Sequence, residues 1–245
     1  MHLAEHRRWI TRSLAVLAAA AACAVLLYAR PLAATPAAQD AMRSDAAVAV
    51  VDRATEIELV PRARHRDTGL VFYPGARVDS RAYLPLLRPV AEAGYPVVVL
   101  KPPFGMAILH AEQGQQVLGR AQRWVVGGHS LGGPAAARLA THHPDQVHGL
   151  LLWASYPDID LRGARDLDVT SVYGTRDGLS TPADVRRAPL PPGTEFVAVQ
   201  GAVHTHFGDY GPQSGDGQPA TSRADAQRQI VAATLDCLRR IDAQP

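Results

Sequence analysis

Short apolar runs alternate with amphipathic stretches along most of the chain after Thr55. The runs are rich in valine and leucine, and in order they read EIELV, GLVFYP, YPVVVL, RWVVGG, VHGLLLWAS, DVTSVYG and TEFVAVQ. Runs of this length and composition are typical of buried strands. Stretches between several of them, such as SRAYLPLLRPVAEAG, place apolar residues at helical spacing. Strands that alternate with helices predict an α/β, doubly wound fold whose sheet is mainly parallel and flanked by helices.

The end of the chain continues this pattern. RADAQRQIVAATLDCLRRI predicts a last helix, whereas the preceding GDYGPQSGDGQPATS is glycine-rich and predicts a surface loop. A chain of 245 residues is long enough for one α/β domain, which we place at residues 55–245. Residues 31–54 are rich in alanine with scattered charges and little periodicity, so they predict a linker.

The first 30 residues differ in kind from the rest of the chain. Arg7, Arg8 and Arg12 precede an uncharged and mostly apolar run from Ser13 to Ala29. This pattern predicts an apolar helix over residues 1–30, either a membrane anchor or a signal segment, because its length falls between the two types. We favour the anchor, although small residues in PLAATPAAQDA offer a cleavage site. The positive-inside rule then predicts a domain outside the cytoplasm, at the cell membrane or secreted after cleavage.

Charge and cysteine content argue against a nucleic-acid-binding protein and against a domain held by a disulfide. The formal net charge is only +2, and the arginines are spread along the chain without a long basic block, so we expect no nucleic-acid partner. Cys23 lies in the apolar run and Cys237 lies near the other end of the chain, so no disulfide is expected within the domain. Cys23 also fits a lipidated cysteine poorly, because the apolar run continues beyond it.

One polar residue interrupts the predicted transition from a buried strand to a helix. Ser130 lies in GHSLG, a G-x-S-x-G pattern between a valine-rich strand and a helix rich in small residues. The glycines let the chain pass close to its neighbours while the serine occupies a strained strand-to-helix turn. Such a turn exposes the hydroxyl and aims the amide of Leu131 at any oxyanion beside it. The pattern predicts that Ser130 is a catalytic nucleophile, with a plain tight turn as the alternative.

A serine nucleophile needs an acid and a histidine base, which are expected later in the chain in that order. Asp177, in SVYGTRDGLS, directly follows a predicted strand, and His204, in VAVQGAVHTHFGDYG, follows the next one. The three groups can therefore converge at one edge of the sheet. A structural turn before glycine is the alternative role for Asp177. Three other aspartates compete with it but do not follow a strand in the same way: Asp158, Asp160 and Asp168.

His206 is the closest rival of His204 as the base. We prefer His204, because the short G-x-x-H loop from Gly201 brings it back over the serine, and we expect His206 to line the site or to face solvent. His129 adjoins the nucleophile, so its side chain is expected to point away from the hydroxyl. HTHFGD also has H-x-H spacing, and a metal site built from His204, His206 and Asp209 is an alternative that leaves Ser130 unexplained.

These motifs resemble those of the α/β-hydrolase superfamily over the chain from Thr55 to Ile241. The resemblance rests on GGHSLGG, YGTRDG and GAVHTHFGDYG, and it is greatest to compact bacterial hydrolases whose first loop reads FYPGA. It implies a second oxyanion donor in the amide of Ala76. Only about twenty residues separate LLLWASYP from Asp177, which leaves no room for a helical lid.

The resemblance also implies a site that is open or lined mainly by PPFGMAIL, which follows the carboxyl end of a predicted strand. Burial in the core is the alternative for this apolar run. The possible pocket residues are Phe104, Met106, His129 and His206.

Together these residues predict a serine hydrolase, most simply a carboxylic ester hydrolase that forms an acyl-enzyme on Ser130. The expected partners are a small-molecule acyl substrate and, through the N-terminal helix, a membrane. The chemistry requires no metal and no organic cofactor. Thioester and amide hydrolysis use the same residues, and a catalytically silent binding module on this fold is the second function class.

Overall fold

The structure is a computed structural model that describes residues 31–121 and 123–244. The predicted N-terminal apolar helix, residues 1–30, lies outside the described residues. Within the described ranges, no helix has both the length and the apolar character that crossing a membrane requires.

The described part of the chain folds around one sheet of eight strands. The strands are β1 Val48–Asp52, β2 Glu56–Pro61, β3 Thr68–Tyr73, β4 Val97–Leu100, β5 Arg123–His129, β6 Val147–Trp153, β7 Asp168–Gly174 and β8 Glu195–Val199. Their order in the sheet is β1-β2-β4-β3-β5-β6-β7-β8. Strand β2 pairs antiparallel with β1 and with β4, and all the other pairs are parallel. This arrangement confirms the predicted α/β fold with a mainly parallel sheet.

Helices cover both faces of the sheet. They are α1 Pro36–Asp40, α2 Leu84–Glu92, α3 Gly132–His142, α4 Pro182–Arg187 and α5 Arg223–Asp242. Two hydrophobic core clusters lie between the sheet and these helices, one that includes α2 and α5 and one that includes α3. Along β5, Val125 belongs to the first cluster while Trp124 and Val126 belong to the second, because successive side chains of a strand point to opposite faces. Both faces are therefore apolar, as a doubly wound sheet requires.

The predicted linker over residues 31–54 is wrong. This region contains α1 and β1, and β1 pairs along its whole length with β2, from Val48 opposite Pro61 to Asp52 opposite Ile57. The compact unit begins at Leu32 and not at Thr55. Strand β1 is an edge strand with mostly half-buried side chains, so its sequence, VAVVD, lacks the long apolar run that marks the central strands.

Candidate active site

Ser130 forms the sharp turn between β5 and α3. Its φ of +52° lies in the left-handed region, which non-glycine residues rarely adopt. The turn is tight because backbones touch across it. A Cβ atom on Gly128 would lie 2.3 Å from the carbonyl oxygen of Gly132, and one on Gly132 would lie 2.3 Å from that of Tyr73. Only glycine fits these two positions, so the sequence on either side of the serine permits the strained turn.

Backbone hydrogen bonds hold Ser130 in place and leave its hydroxyl free. The amide donates to the carbonyl of Trp153 on β6 at 3.1 Å, and the carbonyl accepts from Ser155 Oγ at 2.5 Å and from the Gly133 amide at 3.0 Å. The side chain is half-buried, and its Oγ makes no hydrogen bond to any described residue. The hydroxyl is therefore available to a substrate at the carboxyl edge of the sheet.

Two backbone amides near this hydroxyl also lack an acceptor. Leu131 directly precedes α3, and Ala76 lies in the loop after β3. Neither amide donates a hydrogen bond to a described residue. The loop approaches the serine closely, since the Cβ position built on Gly75 lies 3.3 Å from Ser130 Cβ. A negative oxygen formed on a substrate beside Ser130 would meet unpaired amides here.

Asp177 and His204 form a buried pair at the same edge of the sheet. Asp177 Oδ2 lies 2.9 Å from His204 Nδ1, and both side chains are fully buried. The other carboxylate oxygen, Oδ1, accepts hydrogen bonds from the amides of Leu179 at 2.8 Å and Ser180 at 2.7 Å. These amides fix the carboxylate so that Oδ2 faces the imidazole. Because a carboxylate accepts, the proton of the neutral ring is on Nδ1, and Nε2 carries the lone pair.

The Nε2 atom of His204 is free to accept a proton. It is buried and has no hydrogen-bond partner among the described residues. No hydrogen bond joins it to Ser130 Oγ within the described part of the chain, and such bonds often tighten only when substrate binds. Asp177 and His204, which the sequence predicts as the acid and the base, therefore lie together. The free imidazole nitrogen, Nε2, is on the side of the ring that faces away from the carboxylate.

The competing aspartates pair with arginines instead. Asp158 pairs with Arg138 at 2.5 Å, and Asp160 pairs with Arg162 at 2.7 Å. At the far end of the sheet, Asp168 pairs with Arg240 at 3.0 Å. Of the four aspartates, Asp177 is the one in contact with the imidazole.

His206 is buried, so the expectation that it faces solvent is wrong. Its Nδ1 has no hydrogen-bond partner in the described ranges. Burial first, and the positive charge of Arg223 second, lower the pKa of His206 below its usual value, so the ring is neutral. Asp209, the third member of the alternative metal site, accepts a hydrogen bond from Thr35 Oγ1 at 2.9 Å. Among the described residues, no group of three or more His, Cys, Asp or Glu is arranged to hold a metal ion.

Comparison with known proteins agrees with this architecture. The model of the alpha/beta hydrolase family matches residues 69–229, which is more than half of the chain. The chain belongs to the alpha/beta hydrolase family. A predicted CIB-like hydrolase from Thermoplasma acidophilum has a similar solved structure, with a TM-score of 0.58 and 19% sequence identity. The match covers 79% of this chain and 97% of that chain, and at this identity it shows the fold alone. No curated protein matches the sequence significantly.

In this hydrolase, His129 is a buried support of the site and does not line an open pocket. The ring is fully buried, and its centroid lies 4.5 Å from that of His204. Burial first, and the neighbouring His204 second, hold the pKa of His129 well below its usual value, so it stays neutral. Tyr83 Oη accepts from the Gly75 amide at 2.8 Å and forms a hydrogen bond with His129 Nδ1 at 2.9 Å. Tyr83 therefore ties the loop that carries Ala76 to the end of β5.

The predicted pocket segment, PPFGMAIL, is neither core nor enclosed pocket along most of its length. Phe104 is 89% exposed, Met106 is half-buried, and within the segment Ala107 is buried. An open groove of about 890 Å³ lies beside the segment and is lined in part by Leu109 and Arg138, but Ser130 does not line it. Residues 154–167, between β6 and β7, contain no helix, which agrees with the expected absence of room for a helical lid.

Asp216 is a residue of the site that the sequence analysis missed. Its carboxylate accepts hydrogen bonds from the amides of His204 and Thr205, each at 2.9 Å, and from that of Gly217 at 2.7 Å. Burial alone would raise the pKa of Asp216, but these backbone hydrogen bonds outweigh burial and lower it. Arg223 holds the same turn from the other side, since its Nη1 donates to the carbonyl of Thr205 at 2.6 Å. The loop read as mere surface therefore positions the histidine.

Proposed function

We propose that this protein is a serine hydrolase that cleaves carboxylic esters of small acyl substrates through an acyl-enzyme on Ser130. The observation that carries the proposal is the buried Asp177–His204 pair, whose free Nε2 lies at the same edge of the sheet as a serine hydroxyl without a hydrogen-bond partner among the described residues. A binding module without chemistry needs neither a strained serine nor a buried carboxylate behind a histidine, since both cost stability.

In the proposed reaction, His204 Nε2 takes the proton of Ser130 Oγ while the oxygen attacks the ester carbonyl. Asp177 keeps the imidazole in the required tautomer and stabilises the imidazolium that forms. The amides of Leu131 and Ala76 donate to the oxyanion of the tetrahedral intermediate. The imidazolium then protonates the departing alcohol, and water, activated by the same histidine, releases the acid from Ser130.

A fluorophosphonate probe tests this proposal directly, because it phosphonylates only an activated serine. We expect covalent labelling of the folded wild-type protein, with the modified peptide mapped to Ser130 by mass spectrometry. Ser155 is a matched internal control, because its hydroxyl lies next to the same turn but is engaged with the Ser130 carbonyl. Labelling that is absent, or that survives in Ser130→Ala, would overturn the proposal. p-Nitrophenyl esters compared with p-nitroanilides of the same acyl group then separate esterase from amidase activity.

Asp216→Ala is expected to lower both stability and turnover. The change leaves the amides of His204, Thr205 and Gly217 without their acceptor, which we expect to cost ~1–3 kcal/mol in the free energy of unfolding. Looser placement of His204 should also lower kcat by ~10- to 100-fold. Denaturant unfolding and ester hydrolysis measure the two effects.

The control is Asp236→Ala, which removes an exposed carboxylate on α5 and should change the free energy of unfolding by less than about 0.5 kcal/mol. The effect of Asp216→Ala should also depend on pH. Because the folded-state pKa of Asp216 is lowered, its contribution is present above the unfolded pKa and is lost as the pH falls through the folded one. A difference between wild type and Asp216→Ala that does not narrow in acid would contradict this account.

A further inference from the structure

Large apolar side chains are exposed at one edge of the domain. Among the described residues they are Phe104 at 89% exposure, Leu109 at 71%, Leu131 at 43% and Tyr156 at 39%. All four lie in segments that follow the carboxyl ends of β4, β5 and β6, and Leu131 directly follows Ser130. We call these four residues the apolar rim. The rest of the large apolar residues in the described ranges are at least partly buried.

The contacts of neighbouring residues tie the apolar rim to the serine turn. Tyr156 follows Ser155, whose hydroxyl donates to the Ser130 carbonyl at 2.5 Å. Phe104 precedes Gly105, whose carbonyl accepts from the amide of Arg77 at 2.9 Å, one residue after Ala76. The turn that ends at Leu109 packs on α3, the helix that begins beside Ser130. The four apolar side chains therefore lie on separate segments at the edge of the sheet that carries the serine.

Phe104 is held outward in a strained conformation. Its φ of +57° lies in the left-handed region, which is rare for an aromatic residue. The hydrogen bond between Arg77 and Gly105 fixes this turn to the loop after β3. Strain of this kind persists where the surrounding structure maintains it and is concentrated at functional sites. A large apolar side chain held in water by a strained turn indicates a surface that is covered during function.

We infer that the apolar rim docks onto the surface of a lipid bilayer, with Ser130 facing the membrane. Separate aromatic and leucine side chains around an opening suit insertion among lipid headgroups, where such side chains are favoured. A partner helix would instead need a continuous apolar groove. The large open groove nearby does not provide one, since its lining includes Lys101, Glu112, Gln113 and Arg138.

The position of Leu32, where the chain enters the domain, supports a lipid bilayer as the surface that the apolar rim contacts. Leu32, the first residue of the compact unit, lies beside the same loops: its amide donates to the carbonyl of Arg77 at 2.5 Å, and its carbonyl accepts from the amide of Asp79 at 3.0 Å. In the sequence, only Arg30 and Pro31 separate Leu32 from the apolar run that ends at Ala29. Three residue steps span at most about 11 Å. The sequence therefore places an apolar run within three residues of this edge of the domain.

Charge is expected to contribute little to docking. Lys101 and Arg138, which line the groove next to Leu109, are already paired with Asp52 and Asp158. Binding should therefore depend on apolar insertion and should change little with salt or with the anionic lipid content. The catalytic consequence, that Ser130 acts on esters whose acyl chains lie in the bilayer, rests on the proposed function, whereas docking itself does not.

The experiment uses the full chain with Cys23→Ser and Ser130→Ala, so that neither a second reactive thiol nor hydrolysis interferes. Cys237 is fully buried and is not expected to react. Phe104→Cys and, separately, Leu109→Cys carry a nitrobenzoxadiazole fluorophore. The matched control is Arg64→Cys, an exposed position in the loop before β3, at the opposite edge of the sheet. Phosphatidylcholine vesicles should shift the emission at 104 and 109 to the blue with a several-fold increase in intensity, and should leave the emission at 64 unchanged.

Emission that stays unchanged at 104 and 109, or that changes equally at 64, would overturn the proposal. A blue shift at 104 that appears without vesicles and rises with protein concentration would identify a second copy of the chain as the occupant, which also overturns it. Since all variants carry Ser130→Ala, these outcomes are independent of catalysis. In active protein, Leu109→Ser with Tyr156→Ser should lower the hydrolysis of a bilayer-embedded ester several-fold relative to that of a soluble ester. Equal losses on both esters would remove the catalytic consequence and leave docking intact.

Discussion

Ser130→Ala is expected to abolish ester hydrolysis while leaving the fold intact. Loss of a serine nucleophile typically costs ~10⁴- to 10⁶-fold in kcat. The hydroxyl makes no hydrogen bond to a described residue, so its removal breaks no contact that stabilises the turn. The backbone bonds to Trp153, Ser155 and Gly133 remain available to alanine. Steady-state hydrolysis of a p-nitrophenyl ester measures the loss, and thermal unfolding measures the intact fold.

Ser155→Ala is the matched control for this substitution. It removes a buried hydroxyl next to the same turn, at the cost of one hydrogen bond to the Ser130 carbonyl. We expect a loss of ~1 kcal/mol in the free energy of unfolding and at most about a tenfold decrease in kcat. Ser130→Ala activity within tenfold of wild type, in protein free of contaminating esterase, would sink the nucleophile assignment.

The central strands could be predicted from the sequence, because burial on both faces requires a continuous run of apolar residues. In β5, for example, the consecutive residues Trp124, Val125 and Val126 all lie in core clusters, so this part of the strand is apolar on both faces. The edge strand β1 was not predicted, because its side chains are mostly half-buried and it contains alanine. Helix α1 has only five residues, too few to show helical periodicity, and its cap is Thr35. The domain boundary was therefore placed too late.

The candidate site was predictable where chain order and local turns determine geometry. Ser130 could be found from the glycines that permit its turn, and Asp177 and His204 from their places after successive strands. Asp216 and Tyr83, which support the site, were not predicted, because they act through contacts with residues that are distant in the sequence. Asp216 binds amides twelve and eleven residues earlier, from a loop whose composition indicates only a surface turn. Tyr83 reaches His129 across 46 residues, and no periodic pattern records such a contact.

The second large effect is expected at the histidines, where His204→Ala should reduce kcat about as much as Ser130→Ala does. His204 Nδ1 lies 2.9 Å from Asp177 Oδ2, so this ring alone of the two is held by a carboxylate and presents a free Nε2. His206 Nδ1 has no hydrogen-bond partner in the part of the chain that the structure describes, and its lowered pKa makes it a weaker base than a carboxylate-paired histidine. His206→Ala should therefore decrease kcat by at most about tenfold, the scale of one lost neutral contact.

The double variant Ser130→Ala with His204→Ala tests the role of His204 as the base more directly than either single substitution does. Residues that act as one catalytic unit are strongly non-additive, so adding His204→Ala to Ser130→Ala should cause almost no further loss of kcat. His206→Ala should lower the free energy of unfolding, because it removes a buried ring and leaves a cavity. His204→Ala should lower it as well, because that ring is fully buried and bonded to Asp177, so kcat is the measurement that separates the two histidines. If His206→Ala gave the larger loss of kcat with an undiminished stability, His206 would be the base, and the Asp177–His204 pair would have a purely structural role.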